Sequence, residues 1–123
     1  MESAILTKEV INCAIKVHKA LGPGLLESAY EECLSYELNK SGLMIRKQVP
    51  VPIVYEEVKL ECGYRIDILV EETLILELKS VEALAPIHEA QILTYMKFAN
   101  KKIGLLMNFN CTLLKNGLKR YVL

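Results

Sequence analysis

The stretch Tyr64–Ser80 reads YRIDILVEETLILELKS and predicts a β-hairpin with a turn at Glu71–Thr73. Side chains alternate between the two faces of a strand. The even positions on both sides of the turn are therefore expected to share one face and point to a core: Ile66, Ile68, Val70, Leu74, Leu76 and Leu78. The odd positions put charged residues on the other face, with two apolar residues among them: Arg65, Asp67, Glu77 and Lys79, with Leu69 and Ile75.

A turn centred on Glu72 places Asp67 directly opposite Glu77, and Arg65 opposite Lys79. Directly opposed side chains have Cβ atoms about 4.5–5.5 Å apart. Two carboxylates at that separation repel each other unless a positive group lies between them. A divalent metal ion, a nearby lysine or a shared proton would each relieve the repulsion.

The bulk composition predicts a protein with a real core and no strong net charge. A length of 123 residues is that of one ordinary domain, and 52% of the residues are hydrophobic. Residues 1–123 are therefore expected to form a single domain. The 15 basic residues balance the 15 acidic ones, which argues against a tight non-specific nucleic-acid binder but not against an enzyme with a local basic strip.

The cysteines and the apolar runs bear on location. The four cysteines are far apart and form no CxxC pair: Cys13, Cys33, Cys62 and Cys111. They predict neither a zinc site nor a disulfide framework, and reduced thiols in a cytoplasmic protein are expected. The apolar runs are too short and too interrupted to span a membrane, so no membrane partner is expected.

Apolar spacing and turn residues predict the other elements. The predicted helices are Lys8–Leu21 with Thr7 as N-cap, a second from Leu25 or Leu26 to Lys40, and a third from Ile87 to about Ala99 with Pro86 in its first turn. The predicted strands are Leu43–Leu60, at an edge or bulged near Pro50 and Pro52, then Ile103–Phe109 and Leu118–Leu123. This order favours an α/β fold with a mixed sheet, helices packed on it, and a βαβ crossover after the hairpin.

Residues from four places form a candidate site: Asp67, the pair Glu77 and Lys79, the pair Gln91 and Tyr95, and Glu27. Such a set suits phosphodiester hydrolysis. A hard divalent cation takes oxygen ligands such as Asp67, Glu77 and Glu27, and it lowers the pKa of a bound water. Lys79 could orient or deprotonate that water, or stabilise the transition state. Gln91 and Tyr95 share one helix face and could fix Lys79 and the substrate backbone.

The same residues also fit an arrangement without function. Asp, Glu and Lys at odd positions of a hairpin commonly form a solvated face with weak surface ion pairs. Glu27 would then be a carboxylate favoured by the helix dipole at the start of a helix. Gln91 and Tyr95 would be ordinary residues of a helix surface and a core edge.

Taken together, the motifs resemble those of the GxxExxY proteins, a family placed in the PD-(D/E)XK nuclease superfamily. The resemblance is carried by Gly24–Tyr30 (GLLESAY), Asp67, Glu77–Lys79 (ELK), Gln91–Tyr95 (QILTY) and Gly104–Phe109 (GLLMNF). It runs across essentially the whole chain, and the order and spacing of the motifs make it fairly specific. One departure is that Ile66 stands where the superfamily name has a proline.

This resemblance implies a restriction-endonuclease-like core, with a central mixed β-sheet flanked by helices. Residue by residue, Asp67 matches the metal-binding aspartate, Glu77 the second acidic ligand, Lys79 the catalytic lysine and Glu27 the acidic residue of the early helix. Gln91 and Tyr95 resemble the QxxxY motif that some exonuclease-like branches place beside the site.

We therefore expect a small nuclease that depends on Mg²⁺ or Mn²⁺ and acts on DNA, with RNA as the less favoured substrate. The balanced charge predicts weak non-specific affinity, or recruitment by a protein partner or through a homodimer. The alternative is a catalytically silent module for binding or assembly that keeps the nuclease fold. The apolar content and the edge near Pro50 and Pro52 would suit an oligomer contact.

Overall fold

A computed structural model describes residues 1–61 and 63–123 of the chain. The helices are α1 (Ser3–Leu21), α2 (Glu27–Lys40) and α3 (Pro86–Ala99), with a short 3₁₀ turn at Leu114–Gly117. The strands are β1 (Ile45–Pro50), β2 (Ile53–Tyr55), β3 (Val58–Leu60), β4 (Arg65–Val70), β5 (Leu74–Lys79), β6 (Ile103–Asn108) and β7 (Leu118–Val122).

The main sheet has five strands in the order β1-β4-β5-β6-β7. β5 and β6 run parallel, whereas the other neighbours in this sheet are antiparallel. Helix α3 joins the two parallel strands, because a parallel pair needs a crossover connection. The predicted mixed sheet flanked by helices, with its βαβ crossover, is confirmed.

The two faces of the main sheet pack against different helices. One cluster joins residues of α1 and α2, such as Val10 and Leu34, to the even positions of the hairpin from Ile68 to Leu78. The other joins Ile92, Tyr95 and Met96 of α3 to the odd positions Leu69 and Ile75. The hairpin is therefore buried on both faces, with Glu77 buried among its apolar neighbours, Asp67 half-buried and Arg65 exposed.

The predicted register of the hairpin is confirmed on the turn side. Ile68 pairs with Leu76, Leu69 with Ile75 and Val70 with Leu74, as a turn centred on Glu72 requires. The ladder between β4 and β5 stops at Ile68 and Leu76, so the predicted pairings of Asp67 with Glu77 and of Arg65 with Lys79 are wrong.

The predicted face of Ile66 is also wrong. Ile66 packs in the cluster of α3, not with the other even positions. Strict alternation would place Ile66 and Ile68 on the same face. The change of face falls at Asp67, the β4 residue that the β1–β4 register omits between Lys47–Ile68 and Val49–Ile66.

Helix ends differ from the prediction in two places. Helix α1 begins at Ser3, and Thr7 is a buried residue inside it, so Thr7 is not the N-cap. Helix α2 begins at Glu27, not at Leu25 or Leu26, and Leu26 stands just before it with 76% of its surface exposed. Pro86 begins α3, as predicted from its fixed φ and missing N–H.

The predicted strand from Leu43 to Leu60 is divided into three. β1 lies at the edge of the main sheet and ends at Pro50, which is where a residue without an N–H is tolerated. β2 and β3 form a separate two-stranded hairpin, in which Ile53 pairs with Leu60. We call this hairpin the arm.

Two further expectations concern cysteines and membranes. Cys13, Cys33 and Cys111 are free cysteines, and the expectation for Cys62 lies outside the described residues. Within the described ranges, no helix is both long enough and apolar enough to cross a membrane.

Candidate active site

The candidate site lies where β4 and β5 separate. β4 continues along β1 as far as Arg65, and β5 continues along β6 as far as Lys79. Between them the carboxyl groups replace the missing ladder. The Asp67 N–H donates to Glu77 Oε1 at 3.2 Å, and the Leu78 N–H donates to Asp67 Oδ2 at 2.8 Å. The sheet thus opens at Asp67 and Glu77, and each carboxyl group is held by the backbone of the opposite strand.

Burial and repulsion make both carboxylates costly to ionise. Glu77 is only 3% exposed, and Asp67 is half-buried. Burial, followed by repulsion from Asp67, raises the pKa of Glu77 to about 8. Burial also raises the pKa of Asp67, and Glu31 and Glu27 add to that rise. At neutral pH the pair therefore retains a proton, which is one of the ways in which opposed carboxylates relieve their repulsion.

Lys79 is tied to helix α3. Its Nζ donates to Gln91 Oε1 at 3.2 Å, and Gln91 Nε2 donates to the Tyr95 hydroxyl oxygen at 3.1 Å. Gln91 and Tyr95 lie one helical turn apart on the same face, as their spacing predicted. Burial, followed by the Glu77 carboxylate, raises the pKa of Tyr95. The hydroxyl therefore stays protonated as part of a chain that fixes the position of the lysine.

A glycine of β6 lies against side chains of α3. A Cβ on Gly104 of β6 would lie 2.8 Å from Met96 Sδ and 3.1 Å from Ile92 Cδ1. No real side chain tolerates the shorter distance without a shift of its neighbour. Gly104 therefore leaves room for the Met96 and Ile92 side chains, of which Met96 ends in a flexible group that can shift.

Glu27 lies on the other side of Asp67. It is exposed and is the first residue of α2. A cavity of about 250 Å³ is lined by Glu27, Ser28, Glu31, Gln48, Asp67 and Leu78. Glu27 and Asp67 thus share a cavity, but Glu77 is not among the residues that line it.

Two residues of this cavity were not predicted as part of the site. Gln48 Nε2 donates to Glu31 Oε1 at 2.7 Å and lies 3.5 Å from Asp67 Oδ1, so one amide group stands between two carboxylates. Gln48 has a φ of 52°, which is uncommon for a residue with a side chain. No feature of the sequence predicts that conformation. Glu31, in contrast, follows Glu27 by one helical turn, and that spacing could have identified it.

The carboxylate oxygens of Asp67 and Glu77 suit a hard divalent cation. The two carboxylates repel each other, and a cation bound between them would offset that repulsion. The backbone holds one oxygen of each carboxyl group, and a cation would take the other. Within residues 1–61 and 63–123, however, His, Cys, Asp and Glu side chains form no group of three or more that could hold a metal ion. The predicted ligands Asp67, Glu77 and Glu27 are thus not gathered around one point.

Comparison with known proteins gives one match. The family model described as PD-(D/E)XK nuclease superfamily matches residues 4–121, which is nearly the whole chain. Neither the curated proteins nor the solved structures give a match. The five-stranded mixed sheet with flanking helices is consistent with the restriction-endonuclease-like fold that the sequence predicted. Nucleases of this superfamily generally use divalent metals, and their substrates are nucleic acids.

Proposed function

Since the chain belongs to the PD-(D/E)XK nuclease superfamily, we propose that it is a metal-dependent nuclease that hydrolyses phosphodiester bonds, in DNA rather than RNA. The observation that carries the proposal is the opening of the sheet between Asp67 and Glu77, with Lys79 fixed next to them. A fold without function gains nothing from two buried carboxyl groups that repel each other, because their burial lowers stability.

Asp67 and Glu77 would hold the metal ion, and Glu27, which shares a cavity with Asp67, would join them only if the ion drew the three carboxylates together. When bound, a Mg²⁺ or Mn²⁺ ion lowers the pKa of a coordinated water and offsets charge on the phosphate. The raised pKa values of Asp67 and Glu77 mean that a cation would displace a proton from the pair.

Lys79 supplies the positive charge of the site. Its ammonium group donates to Gln91, which is itself anchored by Tyr95, so little side-chain freedom remains to be lost when substrate binds. In this position Lys79 would orient the attacking water or stabilise the charge that develops on the phosphate. Gln91 and Tyr95 are positioning residues that act through Lys79.

Membership of the GxxExxY family within the superfamily is a further part of the proposal. The residues of that signature shape the connection between α1 and α2. Gly24 has a φ of 97°, which favours glycine, and Glu27 begins α2. The Tyr30 hydroxyl donates to the Gly22 carbonyl at 2.6 Å and accepts from the Leu25 N–H at 3.1 Å. The signature thus fixes the entry to α2, which sets the position of Glu27.

The experiment is cleavage of a labelled panel of single- and double-stranded DNA and RNA, with Mg²⁺, with Mn²⁺ and with a chelator. We expect metal-dependent cleavage by the wild type and its loss in Asp67→Ala and Glu77→Gln. Glu72→Gln is the matched control, because it makes the same chemical change at the exposed end of the same hairpin. Equal background in all four proteins would contradict the proposal and favour the catalytically silent binding or assembly module.

A further inference from the structure

A second cavity lies beside the candidate site, between the arm and the start of β4. Its volume is about 730 Å³, within the range of about 300–1,000 Å³ that is typical of ligand pockets. Residues 50–54, 59–61 and 63–65 line it. We call this cavity the arm groove. None of the residues predicted for the active site lines it.

The arm groove lies next to the candidate active site. Arg65, at its end, is the first residue of β4 and precedes Asp67 by two positions. The Tyr64 ring lies edge-on to the Tyr95 ring, with 6.4 Å between the ring centroids and an interplanar angle of 62°. Tyr95 in turn accepts the hydrogen bond of Gln91, the partner of Lys79. Tyr64 of the groove is therefore in contact with the group of side chains that holds Lys79.

The groove offers both an aromatic ring and positive charge. Tyr64 is 44% exposed, although its neighbour Tyr95 is buried. Lys59 and Arg65 are exposed, and neither forms a salt bridge with any residue in the described ranges 1–61 and 63–123. The carboxylate of Glu61 offsets one of these two charges, which leaves the groove with a net positive charge.

An unpaired nucleotide matches this combination. Its base has a free face that can stack on a tyrosine ring, and its phosphates suit Lys59 and Arg65. The bases of an intact duplex are already stacked on both faces and cannot reach Tyr64. The apolar floor, which includes the buried Val51, suits a base better than it suits a phosphate.

We propose that the arm groove binds an unpaired nucleotide of a single strand and feeds that strand to the site at Asp67 and Glu77. The inference rests on the proposed action on nucleic acid. It adds a preference for single-stranded substrate and names Tyr64 as the stacking residue.

The test measures binding rather than cleavage, so that it does not depend on an active enzyme. Fluorescence anisotropy of labelled DNA and RNA strands and of the matching duplexes is recorded in chelator, for the full chain. We expect Tyr64→Ala to weaken single-strand binding between about fivefold and about a hundredfold, with a smaller loss for the duplex. Tyr64→Phe should retain the affinity because it keeps the ring. The tighter of the DNA and RNA strands names the substrate.

Two further variants keep the test decisive. Tyr36→Ala removes a tyrosine of α2 that is 64% exposed and lies outside the groove, and this variant should bind as the wild type does. Lys59→Gln should weaken binding and reduce the salt dependence of the affinity by about one counterion. Thermal melting of each variant shows that it is folded.

The inference is overturned if Tyr64→Ala binds single strands as tightly as the wild type, or loses single-strand and duplex binding equally. Failure of the proposed nuclease function has a different signature, namely no metal-dependent cleavage by the wild type while the binding difference persists. The two results are therefore separable.

Discussion

The two ends of the β4–β5 hairpin hold a glutamate in opposite environments. At the turn, Glu72 is half exposed and accepts from Arg46 Nε at 2.6 Å, and that hydrogen bond lowers the pKa of Glu72. At the open end, Glu77 is buried beside Asp67, and its pKa is raised to about 8. Within the described residues, Glu72 forms a salt bridge and Glu77 forms none.

The difference in burial and pKa distinguishes Glu72, an ordinary surface charge, from Glu77, a candidate for catalysis. A solvated carboxylate with a neighbouring guanidinium costs little and adds little. A buried carboxyl group beside a second one lowers stability until a cation or a proton is supplied. Perturbed pKa values of this kind cluster at functional sites, which makes the open end the candidate for catalysis.

The largest effect is expected at Lys79. Lys79→Met keeps the apolar stem but removes the charge that is held by Gln91. We expect cleavage to fall by about 10²–10⁴-fold, the range for a positioned group that acts in proton transfer. The measurement is kcat/KM on the substrate found in the cleavage panel. Lys16→Met, which removes a lysine paired with Glu37 on the helical side, is the matched control and should cleave as the wild type does. Equal decreases in kcat/KM for Lys79→Met and Lys16→Met would show that Lys79 has no special role in cleavage.

The next largest effect is expected on stability, at Leu76 in the turn half of the hairpin. Leu76 lies in the regular part of the ladder and is fully buried. Leu76→Ala should lower the free energy of unfolding by about 2–5 kcal/mol, since it leaves a cavity in a packed core. Urea denaturation measures this change. A decrease in the free energy of unfolding below about 1 kcal/mol would show that packing in the turn half of the hairpin contributes little to stability.

At the open end, replacing Glu77 is expected to raise the free energy of unfolding, by less than Leu76→Ala lowers it. The pKa of Glu77 is about 8 in the folded chain against 4.5 for a free glutamate, so the folded state holds a proton that the unfolded state has lost. The free energy of unfolding of the wild type should therefore fall as pH rises from about 4.5 to about 8. Glu77→Gln should reduce that fall and be more stable at pH 8, by about 1–3 kcal/mol.

Urea denaturation across this pH range measures the effect, in the absence of divalent ions. Asp67 has a raised pKa as well, so part of the slope should persist in Glu77→Gln. If Glu77→Gln is no more stable than the wild type at the alkaline end, Glu77 is not under electrostatic strain. The contrast between Glu77 and the exposed Glu72 would then not hold.

The smallest effect is expected at the turn. Glu72→Gln removes the ion pair with Arg46, and both side chains are largely in water. We expect a melting temperature that cannot be distinguished from that of the wild type at moderate salt, because exposed pairs of this kind contribute little. A clear loss of stability would mean that the turn, too, depends on its charges.

Much of the fold follows from local patterns. The register of the hairpin could be predicted because alternating residues on both sides of Glu72 leave one pairing that buries them. The crossover helix α3 could be predicted from Pro86 and the apolar strand that follows. The start of α1 could not, because Thr7 fits an N-cap by type although it is buried inside the helix.

The candidate site was predicted in its residues but not in its geometry. Asp67, Glu77 and Lys79 are visible as a pattern, yet the separation of the strands at Asp67 depends on tertiary pairing with different neighbours. Ile66, which adjoins Asp67, packs on the unexpected face. The left-handed conformation of Gln48 has no local signal, since glycine or asparagine would be expected there.

The measurement that tests the central claim most directly is calorimetric titration of Mn²⁺ into the wild type and Glu77→Gln near pH 7. Repeating it in buffers of different ionisation enthalpy counts the protons released. With the Glu77 pKa at about 8, we predict saturable binding with release of about one proton per ion in the wild type, and much weaker binding without that release in Glu77→Gln. Equal binding by both proteins, or no binding by the wild type, would contradict the claim that the open end of the hairpin is a metal-dependent active site.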